Sequence, residues 1–269
     1  MAEQYKRRRG DRRDGRLLRE LDSLHYITGI IYPNRCDNEA YIGLRVDLTP
    51  INEYLKKKNE GEEVFPYTMF HIITAALIKT ITLRPKLNRF IANCNFYHAK
   101  DEETVDTLHE QLFKKIMNCR SEETGDSTEG AMDILNKMPR WLSKTAIKII
   151  CWLDRHGWVP KSMVESDPYY SSVVLSNLGS IGLKCGYHHL TNWGTCSLFC
   201  IVGEKKAAPY FTADGSYEMR ETLDLGLTID ERLADGYYYS KSIKLLKYLL
   251  EHPELLERPA NEEVDYDHH

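Results

Sequence analysis

Four charged side chains, Asp230, Glu231, Arg232 and Asp235, crowd one short stretch that reads Asp-Glu-Arg-Leu-Ala-Asp-Gly from 230 to 236. An apolar run, Leu225–Ile229, leads into it, and Ile243, Leu245, Leu246, Leu249 and Leu250 follow at helical spacing. Charges held between two apolar elements are costly unless paired, so this strand-to-helix turn is either a structural ion-pair knot or a site. Gly236 offers backbone freedom where the chain swings into the helix. For Glu231 to act as a base, burial must lift a carboxylate whose reference pKa is about 4.3.

His188 and His189 are the other residues suited to proton transfer near neutral pH. They are adjacent, so in a strand they face opposite ways and do not converge on one ion. Cys196 and Cys200 lack zinc-type spacing, and no metal site is expected. The sequence holds no Walker loop, Rossmann glycine fingerprint or nucleophile elbow. Its seven scattered cysteines include no CxxC pair, which reads as a reduced, cytoplasmic chain with free thiols.

The elements that must position these residues follow from periodicity. Tyr26–Tyr32 is apolar and β-rich and ends at Pro33. Ile42, Leu44 and Val46 alternate with Gly43 and Arg45 as a half-buried strand. Thr49 reads as an N-cap with Pro50 in the first helical position, and this helix runs to about Lys58. A long helix is expected over Tyr67–Leu83, stopped by Pro85. Arg89–Tyr97 reads as a strand, Val105–Cys119 as an amphipathic helix and Arg120–Gly130 as a loop. Ala131–Trp158 is a helical insert, apolar over more than one face, with Arg140, Lys144 and Lys148 along one side. It is buried, covers a pocket, meets a partner or contacts lipid. Strands are expected at Ser171–Leu175, Ser197–Val202 and Glu218–Leu223, with a hairpin turn at Ala213–Tyr217.

The 269 residues are 42% hydrophobic with net charge −4, enough for one large domain and without the basic balance of a general nucleic-acid binder. No apolar run approaches the ~20 residues of a membrane span. Charge is uneven: Lys6, Arg7, Arg8, Arg9, Arg12, Arg13, Arg16 and Arg19 lie at the front, and an acidic cluster lies after Glu251. Both read as solvated tails, or the arginines hold a phosphate-rich ligand or an acidic patch on a neighbouring subunit. The organisation expected is a basic extension at 1–25, one domain at 26–256 with an insert at about 131–160, and an acidic tail at 257–269.

The 230–236 stretch resembles the HHxxxDG or DHRxxDG signature of the chloramphenicol acetyltransferase family and of the dihydrolipoamide acyltransferase catalytic cores. His252-Pro253-Glu254-Leu255-Leu256 follows at the place of the families' PEL-type segment. Val46-Asp47-Leu48-Thr49, Phe65-Pro66-Tyr67 with Arg84-Pro85-Lys86-Leu87-Asn88, and Ser176-Asn177-Leu178-Gly179 match further family segments in order. The resemblance spans about 40–256, interrupted by the insert.

The resemblance implies an α/β (α+β) fold, a mixed-sheet sandwich with helices, assembled as a homotrimer with the active site between subunits. It implies acyl-CoA as co-substrate, with no permanently bound cofactor, and a small-molecule acyl acceptor. Asp235 would be the structural aspartate, with Gly236 beside it and Arg16 or another N-terminal arginine as its partner. Ser176 would donate to the tetrahedral oxyanion, an interaction typically worth ~3–4 kcal/mol, with Ser171 and Ser172 as rivals. Glu231 stands where the families keep the catalytic histidine, so it, His188 and His189 are the candidate bases. The families also place strands between Tyr97 and Val105, where this chain has only a short charged turn; with no lipoyl domain expected ahead of the core, a stand-alone protein is the expectation. The expected activity is acyl transfer to a hydroxyl or amine with a non-standard base. The alternatives are an inactive member serving as a binding or assembly protein, and thioester hydrolysis in the same cleft.

Overall fold

The computed structural model describes residues 7–61, 66–99, 137–212 and 214–266. Its central element is β8 (Tyr217–Asp230), one continuous strand where the sequence suggested two. It pairs antiparallel along its C-terminal part with β2 (Glu39–Asp47) on one side and β6 (Leu198–Val202) on the other. The parallel neighbour β5 (Val174–Asn177) extends the sheet beyond β6, and β7 (Lys206–Phe211) forms a hairpin with the first part of β8. A second, three-stranded sheet has β4 (Asn95–Ala99) between β1 (Gly15–Leu17) and β3 (Arg89–Ala92). The arrangement is the expected mixed α/β fold.

Alternation along β8 and its neighbours decides what each face carries. Leu225, Leu227 and Ile229, with Leu44, Val46 and Cys200, point to one side and are fully or nearly buried. Three helices cover that side: α2 (Thr49–Lys58), α3 (Met69–Leu83) and α6 (Gly236–Glu251), which contribute Ile51, Ile73 and Leu249 among others to the same core. On the opposite side, the irregular segment 183–194 lies across the sheet over Gly226 and Gly43. A Cβ on Gly226 would sit 2.1 Å from the Gly186 carbonyl oxygen, so only glycine admits this crossing.

Several local expectations are corrected. The β-rich stretch after Asp22 is a helix, α1 (Ser23–Ile31), because the Asp22 carboxylate accepts from the backbone N–H groups of Leu24 and His25 and starts it. Arg89–Tyr97 is a hairpin rather than one strand. Asn93 and Cys94 both adopt left-handed backbone conformations, φ 48° and 60°, and turn β3 back as β4. The Thr49 cap is displaced by one position: the Asp47 carboxylate receives the Thr49 N–H at 2.9 Å. The long helix begins at Met69, capped by a reciprocal Thr68–His71 pair. The strand expected at Ser171–Leu175 lies at 174–177. The helix and loop expected over 105–130, most of the turn after Tyr97, and the first part of the insert lie outside the described residues.

The insert contributes α4 (Arg140–Arg155) and, just after it, α5 (Lys161–Ser166). The front of the chain docks on α4. Arg12 is 7% exposed and donates through Nη1 to the Asp154 carbonyl at 2.6 Å, while Asp14 holds its other edge at 2.8 Å. Its guanidinium sits over the Phe90 and Tyr97 rings. Burial weakens that charge, and the Asp14 and Asp154 carboxylates outweigh burial and raise its pKa. At the back, residues 257–266 lie against α2 and α3, with Lys79 donating to the Pro259 carbonyl and Arg84 to the Tyr266 hydroxyl.

Candidate active site

Strand β8 delivers Asp230 into the protein interior, 0% exposed, and the chain then turns through a short 3-10 helix, Glu231–Leu233. The Glu231 N–H donates to the Asn38 carbonyl at 3.1 Å and pins this turn to the start of β2. Arg232 returns to Asp230 with Nε–Oδ1 at 2.7 Å and Nη2–Oδ2 at 2.6 Å, and its Nη1 donates to the Tyr32 carbonyl at the end of α1. Arg35 lies 3.8 Å from the same carboxylate and donates to the carbonyls of Thr191 and Gly194. Burial pulls the Arg35 guanidinium down, and Asp230 opposes that pull. The Tyr239 hydroxyl donates to the Asp230 carbonyl at 2.6 Å, and burial, then the Asp230 charge, pushes this phenol well up. The ion-pair knot of the turn is therefore Asp230 with Arg232 and Arg35, and it fastens α1, β8 and segment 191–194 together.

Asp235 has a different place. It is exposed and caps α6, accepting the Tyr238 N–H at 2.7 Å. Gly236 opens that helix without a left-handed φ, and nothing lies within 4 Å of where its Cβ would be. Arg16 sits on β1, exposed, opposite His98. The two residues that sequence reasoning under-weighted, Asp230 and Arg35, carried one usable signal: Asp230 closes an apolar strand, where a charge must find a partner.

Glu231 turns outward because both its neighbours are buried. It lies on the lip of a groove of about 540 Å³ whose floor and walls come from Ala40, Ile42, Tyr239, Ile243 and Lys244. The wall is β2 on one side and the first turns of α6 on the other. Among the described residues no ion pair engages the Glu231 carboxylate, since Arg232 is committed to Asp230.

Ser176 is half-buried on β5, and its hydroxyl has no hydrogen bond among the described residues. Its rivals are occupied: Ser171 Oγ donates to the Pro168 and Val173 carbonyls, and Ser172 Oγ bonds Asn88 at 2.7 Å. Register places Ser176 opposite Ile201, and Ile201 opposite Gly226. Glu231 lies five positions beyond Gly226 and two strands away, a separation on the order of 15 Å or more within one chain. The structure thus does not bring Ser176 and Glu231 together in a single copy.

His188 and His189 are exposed on the segment that crosses the outer face. The His188 ring stacks on Phe199 at 4.8 Å, and the two imidazoles are 5.2 Å apart. Leu190 N donates to the Glu39 carboxylate, and Glu39 pairs in register with Asp230. The histidine segment therefore ends near the base of the Glu231 turn, on the other face of the sheet from α6.

Residues 161–257 match the family model for the catalytic domain of the 2-oxoacid dehydrogenase acyltransferases. No curated protein matches the chain. Among solved structures, a probable dihydrolipoamide acetyltransferase from Listeria monocytogenes superposes with TM-score 0.52 at 15% identity, covering 88% of this chain and 95% of that one. A dihydrolipoamide acetyltransferase from Azotobacter vinelandii, studied for the catalytic roles of a serine, a histidine and an asparagine, gives 0.57 at 12% identity, over 88% and 89% of the two chains. A chloramphenicol acetyltransferase gives 0.50 at 10% identity, over 87% and 97%. At these identities the likeness is one of fold.

Proposed function

Starting from an acyltransferase fold and a matching catalytic-domain segment, we propose that the chain moves an acyl group from a coenzyme A thioester to a hydroxyl or amine of a small molecule. The site is shared between copies of a homotrimer. The observation that carries this reading is the open groove at Glu231, set far from the free hydroxyl of Ser176 in the same chain. A neighbouring copy that brings its Ser176 to this groove completes the set, as a heterologous, ring-closing interface does when one surface supplies what another lacks.

In the reaction, Glu231 accepts the proton of the acceptor group as that group attacks the thioester carbonyl. The resulting oxyanion takes a hydrogen bond from Ser176 of the neighbouring copy. Collapse breaks the carbon–sulfur bond, and the proton passes to the departing thiolate, leaving free coenzyme A and the acylated acceptor. Lys244, on the groove wall, supplies a positive charge toward an anionic donor. Water in place of the acceptor gives thioester hydrolysis with the same groups.

One observation favours the second reading, a non-catalytic binding or assembly protein. Glu231 is exposed in the single chain, and a carboxylate base needs burial that only a neighbouring copy would provide. Free-thiol release from acyl-CoA across a panel of hydroxyl and amine acceptors separates the two readings. Release that depends on an added acceptor and disappears in Glu231→Gln supports transfer. No release from an assembled trimer supports the binding role.

A further inference from the structure

Helix α4 presents two stripes to solvent. Trp141, Ile149 and Trp152, with Leu142 beside them, lie on one side at helical spacing and are 69%, 55%, 50% and 37% exposed. Arg140, Lys144, Lys148 and Arg155 form the adjacent stripe, all exposed. Trp158 extends the apolar side, 60% exposed and edge-on to Trp152 at 5.3 Å. Lys137 adds charge just before the helix. Between 137 and 164 the one acidic residue is Asp154, and it is buried against Arg12, Tyr170 and the Gly194 N–H. A chain with net charge −4 thus carries along this helix five exposed cations, with no exposed carboxylate among the described residues from 137 to 160.

We infer that α4 docks flat on an anionic lipid surface, independently of the acyl-transfer reading. The chemistry fits that occupant. Tryptophans with a row of Lys and Arg alongside suit the boundary between acyl chains and headgroups, where the ring enters and the cations meet phosphate. A second copy meeting this face through the same face is disfavoured, because such an isologous contact would set these cations against each other. The helix is fixed for such contact at its C-terminal end. Asp154 receives hydrogen bonds from Tyr170 and Gly194, and Arg12 grips its carbonyl, so the opposite face is left outward. No described helix is long and apolar enough to cross a membrane, so the contact is superficial.

Flotation of the full chain with vesicles rich in phosphatidylglycerol, against pure phosphatidylcholine, tests this. Binding to the anionic vesicles, its loss at high salt and a blue shift of tryptophan emission are expected. Three of the four tryptophans lie on this face, so the emission reports it directly. Lys144→Gln with Lys148→Gln is expected to weaken partition on the order of tenfold or more. Trp141→Ser with Trp152→Ser is expected to abolish most of the emission shift. Absence of flotation and of any shift at low salt overturns the inference, as does equal binding by wild type and the lysine variant. A change in assembled mass of the tryptophan variant by light scattering also overturns it, placing a second copy on the face. The wild-type salt series decides the matter even if a variant folds poorly.

Discussion

Arg232 closes on Asp230 through two guanidinium hydrogen bonds, at 2.7 and 2.6 Å, although the residues are only two positions apart. A pair so close in sequence folds the backbone between them outward. Glu231 is the residue between. The buried pair therefore serves two ends, anchoring the turn and projecting the Glu231 carboxylate to the lip of the groove.

Removing the anchor is expected to cost far more than removing the cap. Asp230→Ala leaves Arg232 and Arg35 buried without their counter-charge and should destabilise by ~3–5 kcal/mol. Asp235→Ala removes only an exposed helix cap, about 1 kcal/mol. Urea unfolding of both variants ranks them. The opposite order would return the structural role to Asp235.

Glu231→Gln should leave folding nearly unchanged, within about 0.5 kcal/mol, because the side chain is exposed and in no ion pair among the described residues. If Glu231 is the base, coenzyme A release should fall by ~10²-fold or more. Equal release by variant and wild type would remove it from the chemistry. His188→Ala and His189→Ala should leave release within a few-fold of wild type, since both rings lie on the other face of the sheet.

Sharing of the site between copies has a direct readout. Ser176→Ala and Glu231→Gln should each be inactive alone. Dissociated and reassembled together, they should regain activity at about a quarter of the sites, where a native Ser176 meets a native Glu231. No recovery, from mixed assemblies verified by mass, would place both groups in one chain's site or in none.

Acid should weaken the fold through carboxylates held low by their partners. Asp47 is buried in part, which opposes ionisation, but the Thr49 N–H and Arg220 prevail and lower its pKa. Burial likewise opposes Asp224, and Lys206 and Arg45 lower it. Lys58 and Tyr54 lower Glu257. Each is depressed below its unfolded value of 3.8 or 4.5, so its contribution is complete above that value and is lost as pH falls through the lower folded one. Urea midpoints should hold steady near neutral pH and drop below about pH 4. The drop should be shallower in Glu257→Gln, because one of the linked protons is gone.

Much of this architecture is legible in the sequence because its signals are local. Alternation in Ile42–Val46 and the apolar run before Asp230 give strands β2 and β8, and the helix after Gly236 follows from its leucine spacing. The SNLG segment and the Asp-Gly turn carry the fold family. What fails is set either by a single local cap or turn that composition does not mark, or by contacts distant in sequence. The Ile-rich stretch at 26–32 has strand composition, yet one capping carboxylate at Asp22 commits it to a helix. The positive φ values at Asn93 and Cys94 carry no glycine to announce them. The roles of Asp230 and Asp235 look alike in a motif of alternating charges, and only pairing with Arg35 and Arg232 distinguishes them. Arg12 looks like one of many solvated arginines until Asp154 is beside it.

That last pairing ties together two parts of the chain that look optional, the N-terminal arm and the insert helix. Arg12 holds the carbonyl of Asp154 across 142 positions of sequence, and the Asp154 carboxylate holds the loop that Arg35 also grips. The arm and the insert helix are therefore one mechanical unit: without the end of α4 the buried Arg12 guanidinium loses its acceptors, and without Arg12 that end of α4 loses a clamp.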